Sequence, residues 1–431
     1  MSKDPRGAST ARILGASLAG TAIEFYDFFI YGTAASLVFG KLFFAAAPAS
    51  AQLLAAYASF GVAFLARPIG ALAFGHFGDR VGRKSTLIAS LLLMGASTVA
   101  IGLTPTYADI GWPAPVLLCV LRFGQGLGLG GEWGGAALLA IENAPPSLRG
   151  RFGVFPQLGA PVGFAAANGF FLLLGLWLSP AEFSAWGWRI PFLASAVLIG
   201  LGLWVRMRLT ETPAFAAALA KGPPPRVPAA ELFKHFVRET LAGTFAVVAA
   251  FAIFYLTTTF TLGYVTATLG YDRREILGVL LAAIPFLAVG ILCSGRWADR
   301  FEPRRVLIVG CGLAVAAGFL LAPLLGAHSL AAIWLFLSLS LFIMGLVYGP
   351  LGAWMPSLFP PHVRYTGVSV AFTVGGILGG GLAPMAAETL ASRGGLPWVG
   401  LYFSTAALVS LIALVTLGQP RRAPGESPAA W

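Results

Sequence analysis

Five ionisable side chains stand inside long apolar runs of this 431-residue chain: Glu24, Asp27, Arg67, Arg122 and Glu132. A charge at the centre of a membrane helix costs about 2.5–3.5 kcal/mol on insertion scales, so such a group faces a cavity or a partner. Carboxylates and arginines together can move a proton. A carboxyl whose ionisation is opposed by desolvation and favoured by a neighbouring arginine can load a proton on one side and release it on the other as the pair opens and closes. Asp27 with Arg122 is the first choice of pair, assisted by Glu24, with Glu132 as the rival proton carrier. Arg67 and Arg122 are the candidates for meeting a substrate carboxylate. The plain alternative is a structural ion-pair network holding the first, second and fourth helices together.

Helical spacing puts Glu24, Asp27 and Tyr31 on one side of the first apolar run. It puts Arg122, Gln125, Leu129, Glu132 and Trp133 on one side of the fourth, with Gly124, Gly128, Gly131 and Gly135 in a stripe on the opposite side, suited to close helix packing. Gln157 and Asn168 share a side of the fifth run. Thr257, Thr261, Tyr264 and Thr268 share a side of the seventh, so both sets could line a polar cavity, although a threonine as readily bonds back to its own helix. Tyr348 is a further candidate contact, and with Trp354 it reads first as packing. His76 ends the second run, where a loop hydrogen bond is expected before a proton role. The stretch Gly126-Leu127-Gly128-Leu129-Gly130-Gly131 matches G-x-G-x-x-G formally, but it lies inside an apolar helix with no preceding strand, so a dinucleotide site is rejected.

The elements that position these residues follow from composition. The chain is 58% hydrophobic and 10% charged, against roughly 25% charged in a soluble domain. About twelve apolar spans of membrane-crossing length are expected, near 13–39, 52–76, 86–103, 113–141, 152–178, 188–208, 240–268, 276–296, 306–325, 330–355, 365–391 and 397–418. That is an all-α membrane protein with six helices in residues 1–209, a polar linker over 210–239 and six more in 240–431. The linker contains Lys221-Gly222-Pro223-Pro224-Pro225-Arg226, which cannot continue a helix. The first run is too long for a signal-peptide core and is expected to be retained. The net charge of +11 is spread in small groups between spans, which fits membrane topology rather than nucleic acid. With the N-terminus cytoplasmic, 21 lysines and arginines fall on the inner side and five on the outer, which places both termini inside. Cys119, Cys293 and Cys311 lie singly in apolar runs and read as packing residues, with no metal site or cofactor motif.

Gly75-His76-Phe77-Gly78-Asp79-Arg80-Val81-Gly82-Arg83-Lys84 is the one strongly polar island between the second and third runs. Its glycines allow a tight reversal and its charges can pair with neighbouring helix ends. The start of this pattern returns as Gly295-x-x-x-Asp299-Arg300, and Pro145-Pro146-x-x-Arg149 returns as Pro360-Pro361-x-x-Arg364, at the equivalent loop of the other half. The agreement in order and offset points to duplication.

The spacing G-x-x-x-D-R-x-G-R-K resembles the loop between the second and third helices of major facilitator superfamily transporters. Within that superfamily, nearly the whole chain resembles the metabolite:proton symporter family, which includes carriers of shikimate, 2-oxoglutarate, citrate and proline or betaine. The most specific passages are Gly20 to Phe28, Arg67-Pro68-Ile69-Gly70, Gly75 to Lys84, Arg122 through Gly130-Gly131-Glu132-Trp133-Gly134-Gly135 to Pro146, Pro156 to Pro161 and Trp186 to Phe192. The resemblance implies symport of a small organic anion or zwitterion with a proton, by alternating access of the two halves, in a bacterial inner membrane. A functional monomer in the lipid bilayer is expected, and no enzymatic chemistry. An exporter or facilitator on the same fold, including a multidrug type, and a membrane ligand sensor are the competing readings. The charged loops are expected to gate the cytoplasmic side through Gly75, Asp79, Arg80, Gly82, Arg83, Arg149, Asp299, Arg300 and Arg364. Asp79 should meet the N-terminal end of the eleventh helix, and Asp299 that of the fifth. Two departures stand out: Glu302-Pro303 replaces the usual glycine of the second-half loop, and Ser357 stands where relatives commonly carry an acid.

Overall fold

The computed structural model describes residues 10–81, 83–130, 132–142, 144–207, 228–360 and 363–417. Among them there is no strand; the apolar runs are helices, as expected where lipid forces every backbone group to bond within its own segment. The spans are α1 (Ser17–Phe43), α2 (Ala49–Phe74), α3 (Ile88–Leu103), α4 (Pro113–Leu138), α5 (Arg149–Trp177), α6 (Gly187–Trp204), α7 (Val237–Ala267), α8 (Arg273–Phe301), α9 (Pro303–Leu325), α10 (Leu330–Ser357), α11 (Arg364–Gly394) and α12 (Leu396–Thr416). α3 is the shortest of them, and α7, α8 and α11 extend further than hydropathy alone indicates.

Local chemistry sets the ends. Asp272 caps α8 by accepting from Arg274 N at 2.8 Å, and Pro113, Pro303 and Pro397 sit in the first turns of α4, α9 and α12, where a missing N–H costs nothing. Before α6, Ser179 and Glu182 form a reciprocal capping box around the short helix Pro180–Ala185.

α1 to α6 pack chiefly on one another, as do α7 to α12; between the sets, α5 meets α8 and α2 meets α11. α1 and α7 are the central helices, with 83% and 94% of their apolar windows buried, against 33% for α6 at the periphery. The exposed apolar side chains of α6, α9 and α12, such as Val197, Phe319 and Ile412, form the surface that lipid covers.

Three spans contain a π-helical turn: Ala35–Phe39 in α1, Leu256–Phe260 in α7 and Ile377–Gly381 in α11. Each inserts one residue and turns the rest of its helix by about 100°. In α7 this breaks the expected common face of Thr257, Thr261, Tyr264 and Thr268. Thr261 bonds back to Leu256 O at 2.9 Å, and Tyr264 stacks on Phe260 of its own helix.

Close helix packing in α4 uses two glycine rows rather than one. A Cβ at Gly124 or Gly128 would strike α3, and one at Gly126 or Gly130 would strike the backbone of α2. The formal G-x-G-x-x-G run is therefore a packing surface.

Candidate functional site

Where the two sets of helices meet there is a small cavity of about 40 Å³, lined by Glu24 and Phe28 of α1, Arg67 of α2, Trp133 of α4, Phe251 of α7 and Phe372 of α11, among others. That is room for about one water. Arg67 is 8% exposed, with its guanidinium carbon 4.4 Å from the Phe28 ring centroid and 4.5 Å from that of Phe64. Its Nε is buried without a hydrogen-bond partner. The rings hold the cation by its faces, leaving the edge of the guanidinium as the part that can grip a carboxylate.

The aromatic layer also joins the two sets. Trp133 stacks on Phe372 at 3.7 Å and 6°, Phe28 meets Tyr255 at 6.1 Å, and Phe64 meets Phe251 at 6.0 Å. Such pairs contribute about 0.5–1.5 kcal/mol each beyond area burial.

Behind this layer lies a second polar group. Arg122 is fully buried, its guanidinium carbon 4.4 Å from the Phe28 centroid, 4.0 Å from Tyr31 and 5.0 Å from Phe60. It donates to Gln125 Oε1, and Gln125 Nε2 donates to Asp27 O and to Thr98 Oγ1, both at 2.9 Å. Asp27 and Arg122 are thus linked through Gln125 rather than paired directly, because the arginine is turned into the rings of α1 and α2. Asp27 is also fully buried, and neither carboxylate oxygen has a hydrogen bond. The hydroxyls of Thr98 and Ser195 lie against it and also reach Met94 O at 2.9 Å and Pro191 O at 3.4 Å. The carboxyl is therefore buried beside two hydroxyls that can turn toward it or away from it.

The expected common face of Glu24, Asp27 and Tyr31 is therefore divided. Glu24 lines the cavity, Asp27 faces α3 and α6, and Tyr31 exchanges a 2.8 Å hydrogen bond with Ser59 of α2. The α4 face divides as well. Glu132 accepts from Ser90 Oγ of α3 at 2.8 Å, while the neighbouring Trp133 reaches the cavity and donates to Gln157 Oε1 at 3.1 Å. Gln157 sits in a 3₁₀ turn, Pro156–Leu158, and donates to Tyr348 O at 3.2 Å. Asn168 accepts from Thr33 of α1 at 3.0 Å. Neither residue lines the cavity, and nor do Gln125, Thr261 or Tyr264. Tyr348 is buried beside Arg67, its hydroxyl without a partner.

Contacts between the two helix sets lie on both sides of the aromatic layer. At one end Asp299 Oδ1 accepts from Gly150 N at 2.7 Å and its Oδ2 forms an ion pair with Arg151, 3.1 Å from Nε, so the last turns of α8 cap the first turn of α5. At the other, Tyr57 Oη donates to Thr259 O at 3.0 Å, and Ser36 Oγ shares its hydrogen between Gly32 O of its own helix at 2.9 Å and Thr259 O at 3.1 Å, joining the π turns of α1 and α7. Arg364 donates to Phe359 O at 3.0 Å, Arg300 lies over Phe301 and Arg149 is exposed. The side chains at Gly75, Asp79, Arg80, Gly82 and Arg83 lie outside the described residues, and with them the expected contact of Asp79.

Glu388 in α11 is a carboxylate that the inventory of membrane charges omits. One of its oxygens is buried without a partner, near the hydroxyls of Tyr57 and Tyr264. Its signal was a lone acid in an apolar run, but it lies close to the expected end of the span, where a carboxylate reads as interfacial. In the loops, Asp109 and Glu182 are held below the ordinary carboxylate range by the backbone N–H and then the hydroxyl of Thr106 and Ser179, respectively. They are cap residues, ionised at neutral pH.

Comparison with known proteins bears directly on this architecture. The sequence profile of the Major Facilitator Superfamily matches residues 17–384. The chain is 49% identical to the inner membrane metabolite transport protein YhjE of Escherichia coli over 96% of its length and 95% of the relative's. It is 36% identical to the Escherichia coli shikimate transporter, covering 94% of each, and 34% identical to the proline/betaine transporter of the same organism, covering 97% of this chain and 85% of that one. Among solved structures the proton:xylose symporter XylE superposes with a TM-score of 0.72 at 16% identity, over 95% of this chain and 94% of the other. That likeness concerns the fold.

Proposed function

The chain belongs to the major facilitator superfamily, as a multi-pass membrane transporter of metabolites, and on that footing we propose that it couples the uptake of a small carboxylate-bearing metabolite to a proton. The observation that carries this reading is the cavity between the two helix sets, with Arg67 and Glu24 on its wall and the fully buried carboxyl of Asp27 one layer behind. Arg67 binds the substrate carboxylate, in preference to Arg122, which the ring of Phe28 separates from the cavity. Glu24 beside it favours a substrate that also carries a positive group, or a protonated acid. Shikimate, proline and betaine, named for two of the relatives, each bear a carboxylate.

Asp27 carries the proton. Its link to Arg122 through Gln125 gives a route by which rearrangement of the α1–α4 contact alters its environment. Glu132 accepts from Ser90 and is not part of this hydrogen-bonded link, which makes it the weaker candidate. The two six-helix halves, 1–209 and 240–431, rock about the cavity as monomeric rigid bodies, opening the Asp299 contact and the Thr259 contact in turn. Asp79 and Arg364 take part in the first of these gates. Lysine and arginine bias puts the Asp299 end and both termini in the cytoplasm of a cell with this protein in its inner membrane.

The test is transport by purified protein in proteoliposomes. A panel of organic acids, amino acids and betaines is screened by counterflow, and hits are then tested for accumulation driven by an inward proton gradient. Counterflow with a carboxylate substrate but no response to ΔpH would replace symport with facilitation. Counterflow confined to compounds without a carboxylate would remove the role given to Arg67.

A further inference from the structure

At the end of the molecule where α7 begins and α12 finishes, the surface carries a basic pocket with no part in the transport path. The short helix Pro228–His235 leads into α7. Lys234, His235, Val237, Arg238, Leu241 and Leu417 line an open pocket of about 520 Å³. The nearest acids in sequence are Glu231 and Glu239; Glu239 is 3% exposed, and neither lines the pocket.

Two features decide what this pocket suits. The first is charge. The carbonyl end of α12 would repel an anion, but Arg304 covers Leu414 O at 2.9 Å and Val415 O at 3.1 Å, and Arg238 Nη2 covers Thr416 O at 3.3 Å. Among the described residues, no carboxylate pairs with the rest of the Arg238 guanidinium or with the Lys234 ammonium. The second is the surface alongside. α7 and α12 pack side by side, and their outward positions Val237, Leu241, Ile412 and Val415, with Phe233 just before them, are all large, apolar and exposed. Cationic heads and an apolar strip therefore adjoin at one helix pair.

We propose that this is a binding site for an anionic phospholipid, with the phosphodiester held by Lys234 and Arg238 and the acyl chains lying along α7 and α12. A soluble phosphate would satisfy only the pocket, and a neutral lipid only the strip. Basic groups at the membrane surface attract anionic lipid with about 1 kcal/mol each. Binding here ties the segment entering α7 to one leaflet while the helix sets move.

The experiment uses the full-length protein in nanodiscs of phosphatidylcholine containing phosphatidylglycerol, with retained lipid counted by native mass spectrometry. Wild type should retain phosphatidylglycerol in preference to phosphatidylcholine, unaffected by excess inorganic phosphate. Lys234→Gln with Arg238→Gln should lose that preference by about thirtyfold, the product of about 1 kcal/mol for each charge, whereas Lys234→Arg with Arg238→Lys should keep it. If the neutralised pair is not monodisperse, each single glutamine variant reads the same loss at about fivefold. Equal retention in wild type and the neutralised protein overturns the proposal, and displacement of the lipid by inorganic phosphate reassigns the pocket to a soluble anion.

Discussion

Replacing Asp27 by asparagine separates the coupling role from every structural one. The amide is nearly isosteric with the carboxyl, and its NH₂ group and its oxygen can both be met by the hydroxyls of Thr98 and Ser195, which turn to accept or donate. Each such hydrogen bond contributes about 0.5–1.5 kcal/mol. Asparagine also removes the cost of burying an ionisable group, so Asp27→Asn should fold at least as well as wild type. Its effect on coupling should be large. One proton moving with each substrate across a gradient of one pH unit supplies about 1.4 kcal/mol, a tenfold accumulation. The variant should bring internal and external substrate to equality under the same gradient. Substrate counterflow, which needs no net proton movement, should persist. The assay is paired measurement in one proteoliposome preparation: ΔpH-driven accumulation and counterflow at zero ΔpH. An Asp27→Asn protein that still accumulates substrate about tenfold would refute the assignment and move it to Glu24 or Glu132.

Arg67→Lys should raise the counterflow KM about tenfold to a hundredfold, since a lysine neither stacks on Phe28 and Phe64 nor offers a bidentate edge, and a charge-assisted hydrogen bond contributes about 1.5–3 kcal/mol. Arg122→Lys, by contrast, should lower turnover or thermal stability with KM nearly unchanged; an equal KM effect of both variants would put Arg122 in the cavity after all. Asp299→Asn weakens the cap on α5 and should change the rate of exchange more than substrate affinity, checked by counterflow kinetics alongside equilibrium binding; a change in affinity alone would count against a gate. Glu302 adopts φ of +76° between α8 and α9, where the ion pair to Arg305 at 3.6 Å is mostly exposed. Such backbone costs about 1–3 kcal/mol in a residue with a side chain, so Glu302→Gly should raise the melting temperature, and an unchanged or lower value would show that the side chain has a compensating role.

The helices were legible because the lipid requirement acts on composition, which needs no knowledge of neighbours: twelve apolar runs separated by Gly-, Pro- and Arg-containing turns could be little else. The site was legible only in its inventory. Glu24 and Arg67 announce themselves as charges in apolar spans, and both reach the cavity. Asp27, three residues after Glu24, is turned by about 60°. On a helix with one buried face that difference would not matter, but α1 is surrounded, and a small rotation carries a side chain from the cavity to a different neighbour. The same applies to Glu132 and Trp133, adjacent in sequence and about 100° apart, one bonded to α3 and the other stacked across the two helix sets. Spacing fails for a second reason at α7 and at Gln157. The π turn at Leu256–Phe260 and the 3₁₀ turn at Pro156–Leu158 change the residues per turn; Pro156 marks the second, and no residue type marks the first. The two π turns of α1 and α7 meet through Ser36 and Thr259, so the places where helical periodicity breaks are also places where the two sets of helices touch. A carrier that must part its halves needs helix ends able to reorient without unfolding, and an over-wide turn with bonds to spare is a local means of doing so.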